Sequence, residues 1–388
     1  MRVSPQTNFC PLELKLAVSV PLMGYSPSAL LMRFSTGPQA NRPNANSAGN
    51  DRWNRFMVLP LVRVEATSVQ GWARKASRIK LTCSLHTDAA EAHGAGPRFE
   101  GGTMYAVAGV SGHTGAATAL GLLKRGQKVR VLVRNEAQGE PWLRRHAEVA
   151  VVDLHDSAAV AKAVNGLSGA YLLLPPPPSN VDFLATQEAL LGKLVAALKG
   201  SSLKSLVFLS AAGAQHAVGT GPLLALHRAE KALSQIVPSV TYLRAAFRLE
   251  NWAPWLLSAM ETNELPWFGH PPHKFAQVGA HDIGEAAAEA LEQHPAGTRF
   301  IELRGKDLWS PDEVAEVVTS LLGQPIKAVE RPLDAAKSEH ERVGFSPATA
   351  ALWAELSVGM SRGLLNFARP TQVLHGTTPL FDALKPLV

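Results

Sequence analysis

Cysteine is scarce in this chain: Cys10 and Cys83 are the only two in 388 residues. Both precede Met104, where the first regular pattern starts, so disulfides, thiolate catalysis and Cys-ligated metal sites are excluded from everything after it. A reducing compartment is compatible with this. Long hydrophobic runs are also missing. No stretch of 18 apolar residues occurs, which predicts no membrane span. Tyrosine occurs four times, at positions 25, 105, 171 and 242. From residue 104 onward there is no excess of either charge, with 26 Lys+Arg against 26 Asp+Glu. The whole net charge of +6 comes from residues 1–103, which hold 12 basic and 6 acidic residues. The high pI therefore belongs to that first segment, and the remainder carries no nucleic-acid signature.

Residues 1–103 show no sustained helical or strand period. The stretch TGPQANRPNANSAGNDR reads as disordered. Glu13 is the only acid among the first fifty residues, which suits an organellar transit peptide, while Pro21 breaks the apolar LAVSVPLMG and argues against a secretory signal. Met104 stands at the head of the first strand. The expectation is an over-extended start, with a targeting segment or a disordered tail as the alternatives.

From Met104 apolar strands alternate with helical segments, the pattern of a parallel sheet covered on both faces. YAVAG, KVRVLVR, VAVVD, GAYLLL, LKSLVFLS and SVTYLR read as six strands. Helices fall between them, among them HTGAATALGLLKRG, stopped by Gly126, and DSAAVAKAVNG, capped by Asp156 or Ser157. After residue 246 the alternation weakens into a Trp-rich stretch, a late helix, a strand at TRFIELRG, a Ser310-capped helix and a further helix from Ala348 to Phe367. The fold class is thus α/β: a doubly wound parallel-sheet Rossmann fold with a small C-terminal α+β substrate lobe. The expected division is 1–103 as extension, 104–245 as the Rossmann domain, and 246–388 as the C-terminal lobe with elements returning to the sheet.

The first strand runs into GVSGHTG, with Gly109, Gly112 and Gly115 spaced G-x-x-G-x-x-G before a helix. Glycines at such a turn let backbone approach a pyrophosphate, and the helix offers free N–H groups to the anion. Ser111, His113 and Thr114 belong to the same loop. Strand and helix on either side supply the context that a lone glycine motif lacks. The second strand ends at Arg134, where an acid would hold the ribose 2′-OH of NAD; arginine accommodates the 2′-phosphate of NADP. Asp153, closing the third strand, is placed near the adenine, or serves only as a turn residue. Pro175–Pro178 forms a stiff, donor-poor wall after the fourth strand. His270, His273 and His281 straddle a Pro-rich loop without a carboxylate partner, and no metal site is expected.

Four segments carry a resemblance: GVSGHTG at 109–115, VLVRN at 131–135, LVFLSAAGA at 206–214 and TYLRAAFRLENW at 241–252. The last looks like the pattern T-x-L-R-P-x-x-F-x-x-N-W, with Ala245 where proline is usual. HDIGEAAAEAL at 281–291 resembles a D-I-A-x-A-A helix start. Over roughly 104–330 the chain resembles the NmrA-like group of atypical short-chain dehydrogenases/reductases. The resemblance implies a Rossmann domain for NADP(H) and a substrate lobe. The family includes NADPH-dependent quinone or alkene reductases and also non-catalytic NADP sensors that regulate transcription factors.

Ordinary short-chain dehydrogenases use Tyr-x-x-x-Lys, which is absent after Met104: four residues beyond Tyr105, Tyr171 and Tyr242 stand Gly109, Pro175 and Ala246. His227 and Lys231 share that spacing. Either His227 takes the tyrosine position and Lys231 the lysine, or Glu230 matches a later family glutamate and Lys231 lies on the surface. An imidazole has the pKa for proton transfer, or His227 only packs against the cofactor. Ser210, at the end of the fifth strand, is a candidate for orienting substrate, or a strand-end cap. Phe247, Asn251 and Trp252, with Trp255 and Trp267, are candidates to line an aromatic acceptor site, although large aromatics also build cores.

The expected function is NADPH-dependent hydride transfer to a quinone or conjugated carbonyl. The alternative is an idle NADP(H) sensor that binds a regulatory protein partner. A small-molecule acceptor is expected and neither nucleic acid nor membrane, with homodimer formation open. The expected compartment is the cytoplasm, organellar targeting by residues 1–50 remaining open.

Overall fold

The computed structural model describes residues 103–369 and 373–388; the expectations for residues 1–102 lie outside them. The chain first lays down β1 (Met104–Ala108), α1 (His113–Lys124), β2 (Lys128–Val133), α2 (Glu136–Leu143) and β3 (Glu148–Val151). It returns through α3 (Ser157–Val164), β4 (Gly169–Leu172), α4 (Phe183–Lys199), β5 (Ser205–Ala211), α5 (Leu224–Leu233) and β6 (Ser239–Ala245). β1 pairs with both β2 and β4, so the direction of winding reverses between β1 and β4. Such a switch point opens a crevice at the carboxyl ends of the strands.

The period of two explains the layers. On β1, Tyr105 and Val107 pack with α1, while Ala106 and Ala108 pack against the layer containing α3, α4 and α5. Both faces are buried, and the strand reads as an unbroken apolar run, as a central parallel strand must. Asp156 accepts from Ala158 and Ala159 N–H at the start of α3, and Asp182 accepts from Ala185 N–H at the start of α4, satisfying N–H groups that each helix leaves free.

Beyond Ala245 come β7 (Phe247–Arg248), α6 (Ala253–Thr262), β8 (Glu264–Phe268), β9 (Phe275–Val278), α7 (Ala280–Gln293) and β10 (Gly297–Gly305). Then follow β11 (Leu308–Trp309), α8 (Pro311–Leu322), β12 (Lys327–Arg331), α9 (Ala336–Arg342), α10 (Pro347–Ser361), β13 (Leu374–Gly376) and α11 (Leu380–Leu384). Here β10 and β13 return to the main sheet, giving eight strands in the order β13-β10-β6-β5-β4-β1-β2-β3, all parallel. Ile283, Ala287 and Leu291 of α7 join the core shared with β1 and α1. The returning elements are therefore a helix and two strands.

The small lobe has a core of its own around Trp252, Leu256, Leu265, Val314 and Val318, closed by Leu380 and Leu384 of α11. Asp282 anchors this tail: its carboxylate accepts from Thr377 N–H at 3.0 Å and Thr378 N–H at 3.1 Å. Two small sheets, β11-β9-β7 and β12-β8, complete the lobe. The helix expected from Ala348 to Phe367 ends at Ser361, and Gly363 follows with φ +74°. No helix among the described residues is long and apolar enough to cross a membrane.

Candidate functional site

The carboxyl end of β1 turns at Gly109, whose φ of +71° is the left-handed region that favours glycine. The turn closes through Gly112 N–H donating to the Gly109 carbonyl at 2.9 Å. Gly115 then lets α1 lie against the turn: a Cβ there would stand 2.4 Å from the Gly109 carbonyl carbon and oxygen, so no side chain fits without moving backbone. Gly112 occupies the N-cap of α1 with no side-chain cap, and the first turn carries no acid. Ser111, Gly112 and His113 are exposed, Thr114 is buried. The first turn of α1 thus presents uncapped N–H groups and the positive end of the helix dipole to the crevice.

Arg134 lies exposed just beyond β2, with its backbone N–H held by Gln138 Oε1 at 3.1 Å. The β2–β3 register places Val133 opposite Val151, so Asp153 closes the neighbouring strand beside it. Asp153 is engaged by His155, through backbone N–H and Nδ1, both at 3.0 Å from Oδ1. Those two hydrogen bonds lower its pKa, with a small contribution from the Arg134 charge. Pro175 is half-buried, and its carbonyl accepts from Gln187 Nε2 at 2.8 Å.

Beneath the first turn of α1 sits Tyr171, fully buried on β4. Its oxygen makes no well-formed hydrogen bond among the described residues, with the Thr114 and Thr118 hydroxyls alongside. Burial pushes the phenol up to about 12, against the pull of those hydroxyls and of the Arg248 charge. A buried phenol that stays protonated is no proton source for the crevice.

The residues considered for catalysis fall into different surroundings. Ser210 is 2% exposed and donates to Glu230 Oε1 at 2.6 Å. Glu230 in turn accepts from Arg244 Nε at 2.9 Å and Nη2 at 2.6 Å, and Glu302 approaches Arg244 at 3.7 Å on its other side. Burial works against the guanidinium charge, but the two carboxylates outweigh it and hold the Arg244 pKa above its ordinary value. Ser210 is accordingly part of a buried ionic cluster and is turned away from solvent. Lys231, next in the chain to Glu230, is exposed. His227 Nδ1 carries the proton and donates it to the Ala214 carbonyl at 2.9 Å, since a carbonyl only accepts. Its Nε2 is buried without a hydrogen-bond partner among the described residues. The side chain borders a 420 Å³ cavity shared with Gln215, Lys231, Arg244 and Phe300, and no residue of the glycine turn lines that cavity.

The aromatic residues after β6 behave chiefly as core. Trp252 is 0% exposed and its indole N–H donates to Gln277 Oε1 at 2.8 Å. Phe247 packs on Trp252, Trp267 and Phe275 with ring centroids 5.4–6.2 Å apart. Trp252 is therefore closed off within the lobe instead of lining a pocket, because its large apolar ring is what the small lobe has to bury. Asn251 is exposed. His270, His273 and His281 are exposed as well, His270 standing 3.6 Å from Glu330.

Three features escaped the reading of the sequence. Glu302 looks like any polar residue in a strand, and only the β6–β10 register sets it opposite Arg244. Asp282 is visible in the DIG motif, but its role as a clasp for the tail is not. Counted from Thr241, the aromatic position of the T-x-L-R-P-x-x-F-x-x-N-W pattern falls on Arg248, Phe247 being the residue before it. That signal was available in the sequence.

Comparison with known proteins agrees with this architecture. The sequence profile of the NmrA-like family matches residues 103–346. An NAD(P)H azoreductase of Xenophilus azovorans is 23% identical over 255 residues, 65% of this chain and 86% of that protein. The NADPH-dependent quinone oxidoreductase QOR2 of Escherichia coli, solved with NADPH, superposes with a TM-score of 0.62 at 22% identity, over 73% of this chain and 99% of that one. The triphenylmethane reductase of Citrobacter sp., solved with NADP(H), gives 0.61 at 18% identity, over 73% and 100%.

Proposed function

Since the chain belongs to the NmrA-like family, we propose that it is an NADPH-dependent oxidoreductase delivering hydride to a quinone or similar conjugated carbonyl. The observation that carries this reading is the glycine turn. Gly115 has no room for a Cβ, α1 opens uncapped behind it, and Arg134 stands at the end of the next strand. A dinucleotide fits that arrangement: its pyrophosphate against the N–H groups of Ser111 to Thr114, its 2′-phosphate against Arg134, its adenine toward Asp153. The azoreductase and the quinone oxidoreductase support a reductase by their chemistry.

When bound, the nicotinamide supplies the hydride. The chain's part is to bind, orient and exclude water. Pro175 offers a wall without a donor. Glu230 and Arg244 brace the ends of β5 and β6 through Ser210. His227 holds its Nδ1 proton on the Ala214 carbonyl, so its Nε2 would first take a proton from water and then pass it to the oxygen of the reduced acceptor. The inward position of Ser210 and the absence of Tyr-x-x-x-Lys favour a second reading, an NADP(H)-responsive protein that binds without turnover.

The test is NADPH fluorescence followed in time after adding a panel of quinones. Acceptor-dependent decay is the expected result. Binding without decay would move the weight to the second reading, and no binding would reject both.

A further inference from the structure

Where the family pattern has an aromatic residue, this chain has Arg248. β6 ends at Ala245, and Arg248 follows three residues later on β7, held opposite Val278 of β9. That is the carboxyl edge of the sheet, where ligands of such folds bind. The side chain is half-buried, yet it makes no hydrogen bond or ion pair among the described residues. Its interior-facing counterparts are all engaged. Arg130 holds Glu148 and the Ala163 carbonyl, Arg244 holds Glu230, and Arg299 holds Thr241 and Gln293. Glu250, the acid nearest in sequence, is turned to α7, where its Oε1 accepts from Ala280 N–H at 2.8 Å. The guanidinium acts electrostatically on Tyr171, two strands away on β4 and directly beside Thr114 and Thr118 of α1. The end of β6 and the first turn of α1 both lie at the carboxyl edge of this parallel sheet.

We propose that Arg248 is an oxyanion-binding residue of this crevice. The inference rests on the crevice being the dinucleotide site. A partly desolvated guanidinium without a carboxylate is unfavourable by itself. Its planar fork matches phosphate, carboxylate and sulfonate alike, two N–H groups to two oxygens. On the same edge of the sheet, the uncapped N–H groups of α1 offer further donors to an anion. The oxyanion comes either from the pyrophosphate of the dinucleotide or from an acidic substituent on the acceptor.

The experiment uses the full chain and its Arg248→Met and Arg248→Lys variants. Dissociation constants are measured for NADPH and for adenosine 2′-monophosphate, which reaches the Arg134 end alone. On the NADP⁺-loaded protein they are measured for menadione and for 1,2-naphthoquinone-4-sulfonate, by tryptophan quenching without turnover. In Arg248→Met one ligand should weaken by about tenfold or more, the scale of a charge-assisted hydrogen bond, while Arg248→Lys retains most of the affinity. Weakened NADPH with unchanged adenosine 2′-monophosphate assigns the pyrophosphate. Unchanged NADPH with a selective loss of the sulfonated quinone assigns the acceptor. Arg248→Gln repeats the test if the methionine variant does not fold. Equal binding of all four ligands by wild type and Arg248→Met overturns the proposal alone. No NADPH binding by the wild type overturns the cofactor reading and the proposal with it.

Discussion

Arg134 and Arg244 are both arginines near strand ends, and their surroundings give them opposite work. Arg134 is exposed and makes no ion pair among the described residues, so its charge is available to a ligand. Arg134→Ala should weaken NADPH binding by about tenfold or more, as expected for loss of a charged hydrogen bond, and leave NADH nearly unchanged; equal losses in a fluorescence titration would refute the phosphate assignment. Arg244 is 8% exposed and its charge is spent on Glu230 and Glu302. Removing one partner of a buried pair strands the other charge, so Glu230→Gln should destabilise the protein by roughly 3 kcal/mol. Urea unfolding measures this, and a loss below about 1 kcal/mol would mean that Glu302 alone suffices. The sequence displays both arginines, but which one faces a ligand depends on carboxylates 14 and 58 residues away.

Among the elements, α1 and β1 were legible because propensity, period and glycine spacing agree. α2 was not: it contains Gly139 and Pro141 within eight residues, and it forms because Asn135 caps it through Gln138 N–H and Trp142 is buried. The small lobe was equally opaque. Its strands are two to five residues long and are specified by aromatic packing, which has no period. α9 shows how such packing couples to pH. His340 lies between Phe268 and Phe345, at ring distances of 5.6 and 5.2 Å. Burial lowers its pKa below 6.5, with Glu339 pulling weakly the other way. A depressed histidine leaves stability intact above the unfolded-state value and erodes it as pH falls below 6.5 toward the folded-state value. The melting temperature should therefore drop between pH 7.5 and 5.5, about neutral and mildly acid conditions for a histidine, and His340→Leu should lessen the drop. An identical pH profile in the variant would show that His340 plays no part.

At the scale of the molecule, the late chain does two jobs. β10 and β13 widen the sheet, and α11 closes the lobe whose first strand leaves β6. Asp282 ties these together by holding Thr377 and Thr378. The family match starts at residue 103 and β1 at Met104. Residues 104–388 should therefore bind NADPH with unchanged affinity after deletion of 1–103. A product that fails to fold would assign the deleted residues to the fold.

By itself the sequence determined the first six strands of the sheet, most of the helices between them and the glycine turn, because each rests on local chemistry: alternating burial, capping, and glycines where a side chain has no room. Only the tertiary structure decided what Ser210, Trp252, Glu302 and Arg248 face. Their surroundings are built from strands and helices distant in sequence, and a one-dimensional pattern holds no record of which side of a sheet a late strand will pair with.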